Sequence, residues 1–336
     1  MVNGLGASDT EFHLISLFFK KKWKAPAAIL SPESSIYALR QVGLAFRALG
    51  ELQAAIPPLE SGFKLSNECL DREWAVNIAR HIAQTHLLHG EIKLARNWAS
   101  RSIEILDDSV NRFEAVAAHA GLAHVLHQEG KLTEAARAFE NAERILSEAP
   151  PHRRYLGGLQ GYRHCELLLT LERYREAIKR SGAPFERTDA ALFLAAKALA
   201  STIRARVLMA TNFRKSINEI RWILTEAAGV LQSSGRHEFL VAGLISYAEF
   251  HFMVNELAAA KKDLDNAQQL AEHGHMRLHL ADIHLLRARL LNDKGELSKA
   301  RKLIEDCGYW RRTRELERLQ KEALCWPCAA KNSPST

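Results

Sequence analysis

The chain predicts an all-α fold, a solenoid of about seven antiparallel helix pairs, on three observations. One short phrase recurs about every 40 residues, small side chains stand at fixed offsets from it, and Ala and Leu outnumber Val, Ile and Thr, a bias that favours helices over strands. At 336 residues the chain exceeds the size at which one compact core stops growing, so a core extended in one direction suits it.

The phrase reads G-E-L-Q-A-A from Gly50, G-E-I-K-L-A from Gly90, G-K-L-T-E-A from Gly130 and G-E-L-S-K-A from Gly295. Degenerate copies start at Glu172, Thr211 and Asn255. A glycine that tolerates left-handed backbone ends one helix, the apolar residue two places on packs into the turn, and the next helix starts at once.

Five residues after each turn stand Ala55, Ala95, Ala135, Ala177, Ser216, Ala260 and Ala300, and seven before it Gly43, Ala83, Ala123, Cys165, Arg204, Ala248 and Ala288. Small side chains at both places let paired helices approach closely, and Arg204 breaks the rule in unit five. Bulkier apolar residues such as Leu39, Val42 and Phe46 flank them at helical spacing and give each helix one buried stripe. Breaker-rich stretches at 67–71, 107–111, 149–152, 181–184, 233–236 and 273–275 separate the pairs. The resulting division is an N-terminal segment 1–30, helical or partly disordered, a single solenoid over 31–324 with a terminal helix, and a flexible tail 325–336.

A small residue in the first helix, a glycine-led turn and an alanine opening the second helix resemble the tetratricopeptide repeat (TPR) over about residues 36–310. The period exceeds the usual TPR length, which is similar to the long-period arms of bacterial signal-transduction ATPases and of regulators related to the maltose activator. The stretch Gly274–Arg312 resembles the last repeat and terminal helix of such arms. The resemblance implies a right-handed superhelix, a curved ribbon with no closed centre, whose first helices line a concave groove. HEAT and armadillo repeats share the period and stand as the structural alternative.

Carried over from that geometry, the groove would present Tyr37, Arg40 and Arg47 from unit one, Asn77, Arg80 and Gln84 from unit two, His124 and His127 from unit three, and Tyr162 and Glu166 from unit four. Arginine, asparagine and aromatic side chains on a rigid platform suit an extended acidic peptide or a C-terminal carboxylate. For each of these residues a merely solvated position is the competing reading.

Other chemistry finds less support. His273, His275, His279, Asp282 and His284 form the densest histidine group, but they lack the H-E-x-x-H arrangement of a catalytic zinc site, so packing or solvated histidines are expected. Cys325 and Cys328 have C-x-x-C spacing in the tail with no second pair to complete a zinc site, so no metal and no cofactor are expected. No phosphate-cradling glycine loop or nucleophile elbow occurs, which removes the common enzyme routes.

The apolar run Phe12–Phe19 is too short to span a membrane and reads as a helix of the first repeat or an N-terminal remnant. Basic residues number 46 against 39 acidic ones, a mild excess that favours acidic partners without requiring nucleic acid. Arg311–Arg318 is interleaved with Glu315 and Glu317 and reads as a solvated helix face. Five cysteines in no regular framework fit a reducing cytoplasm. The leading functional expectation is a protein-interaction scaffold. A sensor arm acting with a separate ATPase or transcription factor comes second, a nucleic-acid binder third and an enzyme last.

Overall fold

The computed structural model describes residues 19–21, 25–26, 30–148, 154–182 and 190–326, and among them fifteen α-helices follow one another. They pair as α1 (Pro32–Ala48) with α2 (Leu52–Glu68), α3 (Arg72–His89) with α4 (Ile92–Glu104), and α5 (Arg112–Gln128) with α6 (Leu132–Ser147). Next come α7 (Gly158–Thr170) with α8 (Tyr174–Ser181), α9 (Ala190–Thr211) with α10 (Phe213–Ser233), α11 (His237–Met253) with α12 (Leu257–His273), and α13 (Arg277–Leu291) with α14 (Lys294–Cys307). A 3-10 turn, Trp310–Arg312, leads to α15 (Thr313–Glu322), and a second one, Ala323–Cys325, follows. The chain therefore folds as a TPR-like array of seven helix pairs with a terminal helix.

The turns explain the repeat. Gly50, Gly90 and Gly130 adopt φ of 85°, 88° and 79°, the left-handed region that lets the chain reverse within two residues. Glu172 and Asn255 take the same conformation without being glycine. Every small residue predicted to open the second helix is buried, from Ala55 to Ala300. First helices α1, α3 and α5 start from side-chain caps: Ser31, Asp71 and Asn111 accept the N–H of Ser34, Trp74 and Glu114.

Two units depart from the pattern. In the seventh the left-handed residue is Asn292 instead of Gly295, because Asp293 accepts the N–H of Gly295 and Glu296 and so starts α14 early, with Gly295 in its first turn. In the fifth, α9 runs through Thr211 and the break falls at Asn212. The small residue buried seven places before that break is accordingly Ala205, while Arg204 points to solvent and pairs with Glu219.

Where the N-terminal segment is described it is extended: β1 (Phe19–Lys21) pairs antiparallel with β2 (Ala25–Pro26). Pro26 accounts for part of this, since a proline pushes the residue before it out of helical backbone. Residues 12–18 of the apolar run lie outside the described residues. At the other end Trp326 packs against the last hydrophobic cluster, two residues into the expected flexible tail. Among the described residues no helix is long and apolar enough to cross a membrane.

The centre is closed, where the repeat geometry implied an open ribbon. The ribbon winds back on itself, so that the last pairs pack against the first three. One hydrophobic cluster joins Leu87, Ile92 and Val125 to Leu285, Ile304, Tyr309 and Leu319, and another joins Leu52 and Leu88 to Val241 and Met276. The three turn glycines sit in this seam. A Cβ on Gly90 would come within 2.8 Å of Arg277 Cβ, and one on Gly130 within 2.9 Å of Trp310 Cβ. Closure follows from apolar residues at the turns and the ends of the first helices, whose neighbours 150 or more residues away are invisible to a repeat pattern.

Between the first two pairs, Leu70 adopts φ 56° with its side chain 87% exposed. A left-handed non-glycine residue is strained, and this side chain contributes little packing in return. Leu70→Gly should raise stability by about 0.5–1 kcal/mol, the relief of strain less the added freedom of the unfolded chain. The midpoint of denaturant unfolding measures it, and an unchanged or lower midpoint would contradict the account.

Candidate functional site

Closure turns the groove into a central cavity of about 680 Å³. Its wall comes chiefly from the first helices of pairs two to seven, with the segment after α14 along one side. Apolar side chains such as Leu88, Leu199 and Phe239 alternate with charged ones, among them Arg163, Glu166, Arg206, Glu238, Asp282 and Arg312.

The residues expected in the groove fall into three sets. Gln84, His124, Tyr162 and Glu166 line the cavity. Arg40, Arg47, Asn77 and Arg80 lie beside it in one polar network. Arg40 Nε donates to Asn77 Oδ1 at 2.8 Å, Asn77 Nδ2 donates to Glu114 at 2.8 Å, and Arg80 reaches the same carboxylate at 3.4 Å. Tyr37 and His127 stand apart. Tyr37 is exposed near the start of α1, edge-on to Trp74, and His127 is fully buried with Nε2 bonded to Thr170 Oγ1 at 2.8 Å.

Glu166 is the electrostatic hub. Arg311 Nη2 donates to it at 2.7 Å and Arg206 pairs with its other oxygen, while Arg311 also reaches Gln128 at 3.3 Å. Burial opposes ionisation here, but the charges of Arg206 and Arg311 and the Arg311 hydrogen bond outweigh it and hold the carboxyl down to about 2. Arg312 donates to Asp282 at 2.7 Å and to Glu315 at 2.9 Å, and Tyr309 Oη donates to Asp282 at 3.2 Å. The segment after α14 is thus pinned into the centre by two buried ion-pair groups.

This overturns the solvated-face reading for Arg311 and Arg312. The Arg311 side chain is 8% exposed, whereas Arg318, farther along α15, keeps to the surface beside Glu322. Alternation of charges along α15 holds for the helix itself, but Arg311 and Arg312 belong to the 3-10 turn before it, which aims them inward. Arg163, Arg206, Glu238 and His81 were also missed. Arg163 stands next to Tyr162, which the repeat geometry does point inward, so a wider inward stripe on α7 would have included it.

The histidine group disperses. Asp282 is taken by Arg312 and Tyr309, His284 Nδ1 lies 2.7 Å from Glu296, and His273 lies 3.7 Å from Glu51. Among the described residues no group of three or more His, Cys, Asp or Glu side chains converges as a metal would need. Burial and the neighbouring Arg163 push His124 well below the usual imidazole range, and burial with Arg311 does the same to His127, so both are neutral near pH 7. Cys165 is buried and donates to the Ala177 carbonyl at 3.5 Å, Cys325 is exposed, and Cys328 lies outside the described residues.

No protein-family model matches the chain, and no curated protein matches it. Among solved structures it is similar to a tetratricopeptide repeat protein from Parabacteroides merdae, 14% identical over 87% of this chain and 99% of that one, with a TM-score of 0.41. It is also similar to a Rap protein complexed with competence and sporulation factor, 13% identical over 89% of this chain and 79% of that one, TM-score 0.41. A kinesin light chain TPR-like repeat protein from Podospora anserina is 14% identical over 72% of this chain and 97% of that one, TM-score 0.34. These likenesses are distant, and the helix-pair architecture rests on the packing of this chain itself.

Proposed function

We propose that the chain is a protein-interaction scaffold whose inner surface receives a short acidic segment of a partner. The observation that carries this reading is the cavity, which has the size of ordinary ligand sites and is lined by both apolar and charged side chains on rigid helices. An extended segment laid along an open groove fits poorly, because the closed winding leaves room for only a few residues. Arg40 and Arg80, half-buried at the inner surface, are suited to hold a carboxylate through paired N–H donors. Binding is the role we read here, since the cavity-wall charges of Glu166, Arg206, Asp282, Arg311 and Arg312 are committed to one another in ion pairs, which leaves the arginines beside the wall to meet a partner.

The second reading, a regulatory arm for a separate ATPase or transcription factor, draws on the contact between the cavity wall and the segment 309–312. An occupant pressing on Arg311 or Arg312 would move the terminal helix and so report its presence. Capture separates the two readings by what is recovered.

With the full chain as bait, the wild type should recover a partner. Arg40→Gln with Arg80→Gln should reduce that recovery about tenfold or more, as loss of an arginine anchor does, with the far-ultraviolet circular dichroism unchanged. Equal recovery by the variant would remove these arginines from the binding surface.

A further inference from the structure

Four guanidiniums converge on one imidazole beside the cavity. Arg40 and Arg47 come from α1, Arg163 from α7, and Arg80 with His81 itself from α3. Arg40 Nη2 lies 3.4 Å from His81 Nε2, and Arg47 Nη1 lies 3.3 Å from His81 Nδ1. A guanidinium only donates, and a neutral imidazole accepts at one nitrogen alone. One of these two contacts therefore sets donor against donor, and protonating His81 would make both unfavourable. Burial and then the surrounding arginines, Arg80 first, push the imidazole well below its usual range.

The rest of the cluster is short of acceptors too. Arg40 uses Asn77 and Gln41, Arg80 uses Glu114, and Arg163 uses Gln84. Arg47 has only Glu238, at 3.8 Å, which is outside hydrogen-bond reach. Among the described residues Arg47 Nε and Arg80 Nε are buried with no hydrogen-bond partner, and Arg47 is 6% exposed. Among the described residues four positive charges thus face two carboxylates, Glu114 and Glu238, and Arg236 also acts on Arg47, so at least two charges of the cluster stay uncompensated where water is scarce. Buried, unmatched charge is costly, so the arrangement is suited to an anion that supplies what is missing.

We propose that this cluster is a receptor site for a phosphoryl dianion, entered from the central cavity. Arg163, Gln84 and Glu238 belong to both the cluster and the cavity wall, which provides the path. A phosphomonoester carries nearly two negative charges above its second ionisation and offers three acceptor oxygens, enough to separate Arg40 and Arg47 from His81 and bond to both. A carboxylate would neutralise only one of the two charges. The inference deepens the proposed binding of an acidic segment by naming the group recognised, and it rests on that reading only for the source of the phosphate.

The test uses the full chain at pH 8 and constant ionic strength, with chloride as the reference anion. Inorganic phosphate, a phosphoserine hexapeptide and its unphosphorylated counterpart are titrated by calorimetry and by melting temperature. Saturable binding of phosphate with a rise in Tm is expected, and Kd should weaken about tenfold or more in Arg40→Gln, the loss of one charge-assisted bond. His81→Glu places an acceptor between Arg40 and Arg47 within the chain itself. That variant should melt higher than wild type in chloride and lose its response to phosphate.

Tighter binding of the phosphopeptide than of inorganic phosphate identifies a peptide source, and equal or weaker binding identifies a free anion. Absence of saturable phosphate binding to the wild type overturns the site, as does binding undiminished in Arg40→Gln. The partner-capture experiment does not depend on this result. Capture that needs Arg40 and Arg80 with no affinity for phosphate would retire the phosphate site alone, and phosphate binding without capture would retire the scaffold reading alone.

Discussion

Glu166→Gln should cost the folded chain about 3–5 kcal/mol, the penalty for removing one partner from a buried ion-pair group. The substitution keeps the shape of the side chain but removes the carboxylate that Arg206 and Arg311 share, leaving Glu249 as the remaining countercharge acting on Arg206. The pH dependence gives a second reading of the same group. The carboxyl is held at about 2 in the folded chain against 4.5 ordinarily, so its contribution is fully present above about pH 4.5 and is lost as pH falls from there toward about 2. That contribution amounts to about 3 kcal/mol as an upper figure. Denaturant melts at pH 7 and in steps down to pH 3 should show wild type and Glu166→Gln converging. A constant gap across that range would assign the destabilisation to packing instead of charge.

Alanine at the turn glycines should produce a graded loss that reports closure of the ring. Gly130→Ala meets two penalties. Its φ of 79° costs a non-glycine residue about 1–2 kcal/mol, and the added methyl would lie 2.9 Å from Trp310 Cβ and 3.0 Å from its carbonyl carbon, overpacking that adds about 1–3 kcal/mol. Gly90→Ala is similar, with Arg277 Cβ and Cys307 Sγ both at 2.8 Å. Gly50→Ala has a comparable φ but its nearest neighbour is His237 Nδ1 at 3.3 Å, so the backbone penalty of about 1–2 kcal/mol should dominate. Gly182, with nothing within 4 Å among the described residues and an ordinary φ of −92°, is the control and should change little. In an open ribbon the first three would lose equal amounts. Equal losses in thermal or denaturant melts would therefore contradict the seam, whereas a larger loss at Gly90 and Gly130 supports it. Because Gly130 supports Trp310, its substitution should also loosen Arg311 from Glu166 and weaken the acid sensitivity described above.

The order of helices was legible from local rules. Gly50, Gly90 and Gly130 end helices because only glycine takes that backbone without strain, and Ala55, Ala95 and Ala135 are small because a partner helix lies against them within the same pair. Such contacts fall within about 40 residues, so they repeat along the chain and can be read by comparing it with itself. Even the misplacements in units five and seven were shifts within a turn, caused by Asn212 and Asp293 taking over the break and the cap.

Only the tertiary structure decided that the ribbon closes. Leu87 and Ile92 look like any apolar stripe, and nothing near them in the sequence announces Leu285 or Leu319. The same holds for charge. Arg311 beside Glu315 and Glu317 reads as surface, yet its carboxylate partner is Glu166, 145 residues earlier. Whether a polar residue of a first helix faces water, a cavity or another charge depends on how far the superhelix winds, and winding accumulates from small rotations at each pair. Sequence determines the unit because its contacts are local, while the sum of those rotations determines the site.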